Sequence, residues 1–331
     1  MEGDQNNTNK MLSLVLPFQK CSNAQIQYEY SSERETLYEK FNNSQFLLDI
    51  ADHVNSFTTD NYKCNFYDIN RFNSTFNSNN DNLKICHLNI RSINLHKHEL
   101  LAYLTCLNSN FDAILLTECG NALQASIEET FQDYDFYYNP PTTQKGGAAI
   151  LIRKNTFSNI EILDYNKFLQ CTQCNKCQIE SFWVKLEAKD RHNIIIGCIY
   201  RHPNNNITHF NNMYQMLLQN MNGNATCIIG GDFNIDLLQH ERTHHGEYLT
   251  TNLENNFTPC ITLPTRFTAN SATLIDQIFI RLPKRNLQSK IISGNLYCSI
   301  SDHLMNFVQI DLKAKKPSER PHVRFFTEKN I

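Results

Sequence analysis

Several polar residues fall at or beside the ends of apolar, β-rich runs, the position from which α/β proteins present reactive groups to a cleft. Asn89 closes Ile85-Cys86-His87-Leu88, Glu118 closes Ala113-Ile114-Leu115-Leu116-Thr117, and Asp232 and Asn234 follow Cys227-Ile228-Ile229-Gly230-Gly231. Asp276 sits inside Leu274-Ile275-Asp276-Gln277-Ile278-Phe279-Ile280, and Ser301-Asp302-His303 precedes the last apolar run. A carboxylate closing a strand is, taken singly, most often a cap or a solvated turn residue. Asp276 differs, because an ionised carboxylate among isoleucines needs a partner to offset its desolvation. His303 is the natural one, and such a pairing would fix the imidazole tautomer and raise its pKa.

As a set these residue types suit phosphodiester hydrolysis, which has to position a water, neutralise charge on the phosphoryl oxygens and stabilise a leaving alkoxide. A hard divalent cation, Mg²⁺ or alternatively Mn²⁺, does much of that with oxygen ligands. Glu118 is the expected metal ligand, with Asn89 and Asp302 near the metal. Asp232 is expected to orient or deprotonate the attacking water. Asn234, two positions on along an extended strand, points the same way to hold a phosphate oxygen. Tyr200 donates to another phosphate oxygen, and a cationic His303 contacts the phosphate. Arg201 and Ser301 are expected as further phosphate or DNA contacts. Arg91, Lys97, Lys145, Arg153, Lys154 and Arg266 also flank these segments and would make a basic patch, although scattered solvated charges read identically.

Two other patterns compete. His240-Glu241-Arg242-Thr243-His244 spells a zinc-protease motif, which requires one helix and a third ligand downstream. The stretch from Asn234 to Gly246 reads instead as a loop after a strand, and no acid lies between Asn255 and Thr273. Cys171-Thr172-Gln173-Cys174-Asn175-Lys176-Cys177 lacks a fourth ligand at a standard spacing and reads as a loop with reduced thiols.

The elements that position the candidates follow from periodicity. Strands are expected at Lys84–Ile90, Ala113–Glu118, Gly147–Arg153, Phe182–Glu187, Asn193–Tyr200, Thr226–Asn234, Leu274–Ile280, Ile291–Tyr297 and Asn306–Leu312. Helices are expected at His96–Leu107, His209–Met221 and Glu247–Asn256, with helical pieces around Glu33–Val54. Strands outnumber helices too heavily for a doubly wound parallel sheet, so the fold class is α/β with two packed mixed sheets and outer helices. Residues 1–82 read as a polar, flexible extension whose removal leaves activity intact, 83–312 as the folded domain, and 313–331 as a basic tail or linker start. The 331 residues, 41% hydrophobic, exceed what a disulfide-stapled mini-protein needs. Their apolar runs are too short to cross a bilayer, and no export signal is read, so a reduced nuclear or cytoplasmic setting suits the 12 cysteines. The net charge of −3 offers no global attraction for nucleic acid, which leaves only a local patch.

In order along the chain, Asn89, Glu118, Ile199-Tyr200-Arg201, Gly231-Asp232-Phe233-Asn234, Leu274-Ile275-Asp276 and Ser301-Asp302-His303 resemble the endonuclease/exonuclease/phosphatase superfamily. Leu88-Asn89-Ile90-Arg91-Ser92-Ile93, Leu116-Thr117-Glu118, Gly146-Gly147-Ala148-Ala149-Ile150, Tyr200-Arg201-His202-Pro203 and Leu263-Pro264-Thr265-Arg266 are similar, more narrowly, to the apurinic-type endonuclease domain of LINE-type (non-LTR) retrotransposons. The resemblance spans residues 84–312 and implies a four-layered α/β sandwich and metal-dependent nicking of target DNA that primes reverse transcription. It adds Thr265 as a phosphate contact. A complete element would continue into a reverse transcriptase, which these residues do not include. Abasic-site repair relatives carry an acid two residues after the motif asparagine, where this chain has Arg91. Such a repair phosphodiesterase or phosphatase is the alternative within enzymes, and a non-cleaving DNA-binding remnant the alternative outside them.

Overall fold

A computed structural model describes residues 62–76, 82–141, 145–169, 179–187, 193–221, 223, 225–268, 271–283 and 290–312. In chain order the elements are β1 (Tyr62–Tyr67), α1 (Ile69–Thr75), β2 (Leu83–Asn89), α2 (Ile93–Thr105), β3 (Ala113–Thr117), α3 (Gln124–Thr130), β4 (Tyr134–Asn139), β5 (Ala148–Arg153), β6 (Asn159–Ile162), β7 (Ile179–Glu187), β8 (Ile194–Arg201), α4 (Ile207–Asn220), β9 (Thr226–Asp232), α5 (Thr243–Glu254), β10 (Thr258–Pro259), β11 (Arg266–Phe267), β12 (Ala272–Thr273), β13 (Asp276–Arg281), β14 (Ile291–Leu296) and β15 (Met305–Ile310). One sheet has the order β1-β14-β15-β2-β3-β5-β4, the other β10-β13-β9-β8-β7-β6, and β11-β12 form a separate ribbon. All nine strands and all three helices expected between residues 84 and 312 are present, with ends shifted by a few residues.

The layering follows from the two-residue period of a strand. In β2, Leu83 and Ile85 pack into the core between the sheets, whereas Cys86 and Leu88 pack outward with Leu100 and Tyr103 of α2. In β3, Ala113 and Leu115 face inward and Ile114 and Leu116 outward. Both faces are covered, so these strands are buried along their whole length and read as unbroken apolar runs. The same alternation carries His87 and Asn89 inward, toward the second sheet. There, α4 and α5 cover the outer face through an aromatic cluster in which Phe210, Tyr214, Phe233, Tyr248 and Phe279 meet at ring-centroid separations of 5.2–6.2 Å. Parallel pairing of β2 with β3 and of β8 with β9 makes each an adjacent βαβ unit, which sends both pairs of C-terminal ends to a common rim.

The folded region begins before the boundary expected at residue 82. β1 pairs in parallel with β14 from Tyr62↔Ile291 to Tyr67↔Leu296, and Phe72 and Phe76 are buried against Tyr67 and Phe307. The Asn/Ser-rich run after Phe76 obscured this, because a short strand and a two-turn helix carry too little periodicity to register beside it. Residues 1–61 and 313–331, the helical pieces near Glu33–Val54 and the Cys171–Cys177 loop lie outside the described residues. Truncation at Asn82 is therefore expected to give no soluble folded protein. Losing a buried phenylalanine costs about 3–5 kcal/mol, and two such losses with an exposed strand edge consume most of a stability of about 5–15 kcal/mol. Circular dichroism and size-exclusion chromatography of a chain starting at Leu83 test this; a monodisperse, cooperatively melting product would return residues 62–76 to a dispensable role.

Candidate active site

The strand ends bring residues from both sheets together. Asn89 ends β2, Glu118 directly follows β3, Tyr200 lies at the end of β8 and Asp232 ends β9. β13 runs antiparallel to β9 with Asp276 opposite Asp232. Asn89 Nδ2 donates to Asp232 Oδ2 at 2.8 Å, a bond that crosses from one sheet to the other. Gly231 permits the close pairing of β8 and β9 beside it, since a Cβ there would lie 1.8 Å from the Ile199 carbonyl oxygen.

Asp276 has the partner that its surroundings demand. His303 Nδ1 donates to Asp276 Oδ2 at 2.8 Å, and both residues are buried. Thr265 Oγ1 donates to the same oxygen at 2.6 Å while accepting from the Asp276 N–H at 3.1 Å. Burial alone would raise the Asp276 pKa, but the facing His303 outweighs it and holds the group below the usual carboxylate value. Burial pulls His303 down, yet Asp276, with Asp232 and Asp302 beyond it, lifts it to about 9, so the ring is an imidazolium at neutral pH. Asp232 goes the other way: burial, then repulsion from Asp276, raise it to about 7 against the pull of His303. One acid is thus committed to its charge and its neighbour is poised near neutrality, the division of labour expected of a base and its supporting cation.

Glu118 is half-buried, with a positive φ of 54°. Its Oε1 accepts from the Tyr200 hydroxyl at 3.2 Å. Burial, followed by the charges of Glu118 and Asp232, pushes the Tyr200 phenol well up, so it remains a donor. Ser301 Oγ donates to the Asn89 carbonyl at 2.7 Å and accepts from the His303 N–H at 3.1 Å, which fastens the Ser301-Asp302-His303 loop to β2.

Four expected contacts have other work: Ser301, whose hydroxyl proton is committed to the Asn89 carbonyl, and Arg201, Asn234 and Thr265. Arg201 is 1% exposed, and its guanidinium donates to the carbonyls of Phe233, Asn205 and Asn234 at 2.5–2.7 Å. It shapes the loop after β9 and cannot reach a phosphate, a role hidden from sequence because its partners are main-chain carbonyls. Asn234 is not on an extended strand. Its φ is 49°, its amide donates to the Arg201 carbonyl at 2.8 Å, and its N–H donates to Asp232 Oδ1 at 3.0 Å. Thr265 is fully buried with its hydroxyl occupied by Asp276, so it positions that acid rather than a phosphate. The zinc-protease motif is also split: His240 follows a 3₁₀ turn at Leu237–Gln239, whereas His244 lies in the first turn of α5, and they share no helix face.

Sequence reasoning passed over a buried polar ladder beneath the site. Asn295 holds the Leu263 and Pro264 carbonyls at 3.2 and 2.9 Å and accepts from Asn306 at 2.9 Å. Asn306 Oδ1 lies 3.4 Å from His87 Nδ1, and His87 Nε2 lies 3.1 Å from Thr117 Oγ1. Burial holds His87 near 4, a neutral ring 3.8 Å from Asp276. The signal was present as polar residues at inward-facing strand positions, but each partner comes from a different strand.

The oxygen donors fit a hard divalent cation. Among the described residues, Glu118 keeps one carboxylate oxygen without a hydrogen bond, and Asp302 Oδ1 is buried with no hydrogen-bond partner. Asp232, Asp276 and His303 also place ligand-type atoms within 4.8 Å of one another, but Asp276 and His303 are engaged with each other, and both Asp232 oxygens accept hydrogen bonds.

A four-layered sandwich of two mixed sheets, with acid, amide, tyrosine and histidine groups converging at the strand ends, defines a class of phosphoester-hydrolysing folds. The chain belongs to the endonuclease/exonuclease/phosphatase family, whose sequence model matches residues 69–303 and whose members hydrolyse phosphodiesters or phosphate esters. Its fold is similar to the endonuclease domain of TRAS1, a telomere-specific non-LTR retrotransposon, at 14% identity and a TM-score of 0.50, covering 70% of this chain and 99% of that one. It is equally similar to D. rerio TDP2 complexed with single-strand DNA product, at 15% identity and a TM-score of 0.50, covering 70% and 100%. A mannosyl-6-phosphatase of Bacteroides thetaiotaomicron matches at 15% identity and a TM-score of 0.50, covering 69% and 99%. No curated protein matches the chain in sequence. At such identities the likeness establishes the fold, and the substrate has to be argued from the site.

Proposed function

We propose that the chain is a Mg²⁺-dependent endonuclease, able to use Mn²⁺, that nicks target DNA on behalf of a non-LTR retroelement. The observation that carries this reading is the buried Asp276–His303 pair set beside Asp232, which Asn89 ties to the opposite sheet. His303 presents a fixed positive charge to a phosphoryl oxygen. Asp232 orients a water and takes its proton, and Asn89 keeps that carboxylate in place. Tyr200 offers its hydroxyl to a second phosphoryl oxygen. Glu118 would hold the cation, with Asp302 Oδ1 and Asn89 beside it. When bound, the cation supplies charge neutralisation at the phosphate and the leaving oxygen. DNA as substrate, and a reverse transcriptase as covalent partner in a complete element, are what the motif set of Asn89, Glu118, Tyr200, Asp232, Asp276 and His303 implies by resemblance.

Supercoiled plasmid is expected to be converted to the open-circular form with Mg²⁺ and left intact with EDTA. An abasic-site enzyme gains selectivity from the low cost of extruding a nucleotide that lacks a base. With Arg91 in place of the acid of repair relatives, intact duplex is expected to be cut with preference for flexible pyrimidine–purine steps. Paired duplexes with and without one abasic site, at equal enzyme, discriminate the readings. Cutting of the abasic duplex alone would replace the retroelement assignment with repair.

A further inference from the structure

Arg91 and Arg266 converge on a single carboxylate oxygen. Arg91 Nη2 lies 2.9 Å and Arg266 Nε 2.8 Å from Asp302 Oδ2. Their side chains are 48% and 34% exposed, against 25% for Asp302. Two guanidiniums sharing one carboxylate leave a local positive charge, and each keeps a free edge. Among the described residues, Arg91 Nε and Nη1 and both terminal nitrogens of Arg266 make no hydrogen bond.

The main chain holds the arginines at the site rather than leaving them to wander on the surface. Arg91 and the following Ser92 have φ values of 55° and 140°, uncommon for residues with a Cβ. The turn is secured by Ile90 N–H to the Thr117 carbonyl at 3.0 Å, Arg91 N–H to Asn89 Oδ1 at 3.2 Å and Ile93 N–H to the Cys119 carbonyl at 3.1 Å. Arg266 follows Thr265 and forms a backbone bridge with His303. Each arginine is therefore within two residues of a group that shapes the reaction centre. Asp302 stands between them and the imidazolium, with its Oδ1 3.8 Å from His303 Nε2. They are thus offset from the phosphate that His303 would face.

We propose that Arg91 and Arg266, held at a set spacing by Asp302, form a clamp for the DNA backbone phosphate next to the scissile one. The inference rests on the DNA-cleaving reading above and adds a subsite to it. A guanidinium presents planar paired donors that match phosphate oxygens, and an ion pair that holds it in position lowers the ordering cost of binding. The clamp favours a polymer with successive phosphates over an isolated phosphate ester. It also gives Arg91 a purpose at the position where repair relatives carry an acid.

The test is equilibrium binding of the full chain to a short fluorescein-labelled DNA duplex in EDTA, read by anisotropy across a salt series, so that neither cleavage nor metal enters. Arg91→Ala and Arg266→Ala are each expected to weaken binding ~5–50-fold at ~0.1 M salt and to reduce the slope of log K against log salt by about 0.9, the value for one phosphate. Both arginines serve the same phosphate, so the double variant should lose about one slope unit and not two. Arg91→Lys should keep the slope while losing part of the affinity, because it retains the charge and loses the fork. Thermal melts of each variant confirm folding. Wild-type affinity and slope in the double variant, or a loss of two units, would overturn the shared clamp while leaving wild-type binding and nicking in place. A wild-type chain that binds no duplex would overturn the DNA reading itself.

Discussion

Glu118→Gln is expected to lower Mg²⁺-dependent nicking by a factor on the order of 10²–10³ while leaving the fold intact. The substitution keeps shape and the acceptor for the Tyr200 hydroxyl, whose 3.2 Å bond an amide oxygen can accept equally well. It withdraws the anionic oxygen that a hard cation requires, and an electrostatic contribution of this kind is worth about 2.7–4 kcal/mol of barrier. Half-buried and outside the strand ladder, the changed residue should alter stability by no more than about 0.5 kcal/mol. Parallel readouts are plasmid nicking over a Mg²⁺ series, Mn²⁺ binding by calorimetry and the thermal midpoint. Weakened metal binding with an unchanged midpoint supports the ligand assignment. Nicking that survives at the wild-type Mg²⁺ requirement would exclude Glu118 as the ligand.

The second large effect is expected from Asp276→Asn, which should reduce nicking at least ~100-fold and destabilise the protein by about 3–5 kcal/mol near neutral pH. The His303 pKa is raised in the folded protein, so its share of the pair's stability is fully present below the unfolded value near 6.5 and disappears as pH rises through about 9. Asp276 is depressed, so its share is present above the usual carboxylate value of 3.8 and disappears as pH falls through the lower folded value. The pair therefore stabilises most between those limits, and the variant's deficit should be greatest there and shrink toward either extreme. An amide cannot stabilise imidazolium, and burial then acts unopposed by Asp276, so the His303 pKa should fall. An NMR titration of the metal-free protein that finds the His303 pKa unmoved would refute the pairing as its cause.

The arrangement of strands was legible because the central ones are covered on both faces and read as continuous apolar runs. Asp276 was legible for a related reason: a charge in such a run has no solvent and has to be paired. β4 and β6 were not, because their exposure is mixed and their tyrosines, asparagines and glutamates leave no clean alternation. Asn234 was misjudged because a residue two beyond a strand end was assigned the strand's geometry, whereas its backbone turns left-handed. Arg201 and Arg91 illustrate the limit on reading charge from sequence. One arginine is sealed inside against carbonyl groups and the other stands at the rim, and only the positions of their partners from distant segments separate them. His87 sits in a run that predicted its strand correctly, yet nothing local marks it as the neighbour of a carboxylate almost 200 residues away.

The wiring of the first sheet has a consequence for when the enzyme can be armed. Asn89 meets Asp232 across 143 positions and Ser301 across 212, and β15 is inserted between β14 and β2 rather than added at an edge. Contacts of such long range form late, after their loop-closure cost has been met. At about 5–20 residues per second, a ribosome needs on the order of 10–40 s to travel from Glu118 to His303. Throughout that interval the emerging polypeptide holds Asn89 and Glu118 but neither the imidazolium nor the strand that closes the sheet. A nascent or prematurely terminated chain therefore carries an incomplete site, a delay written into the order of the strands.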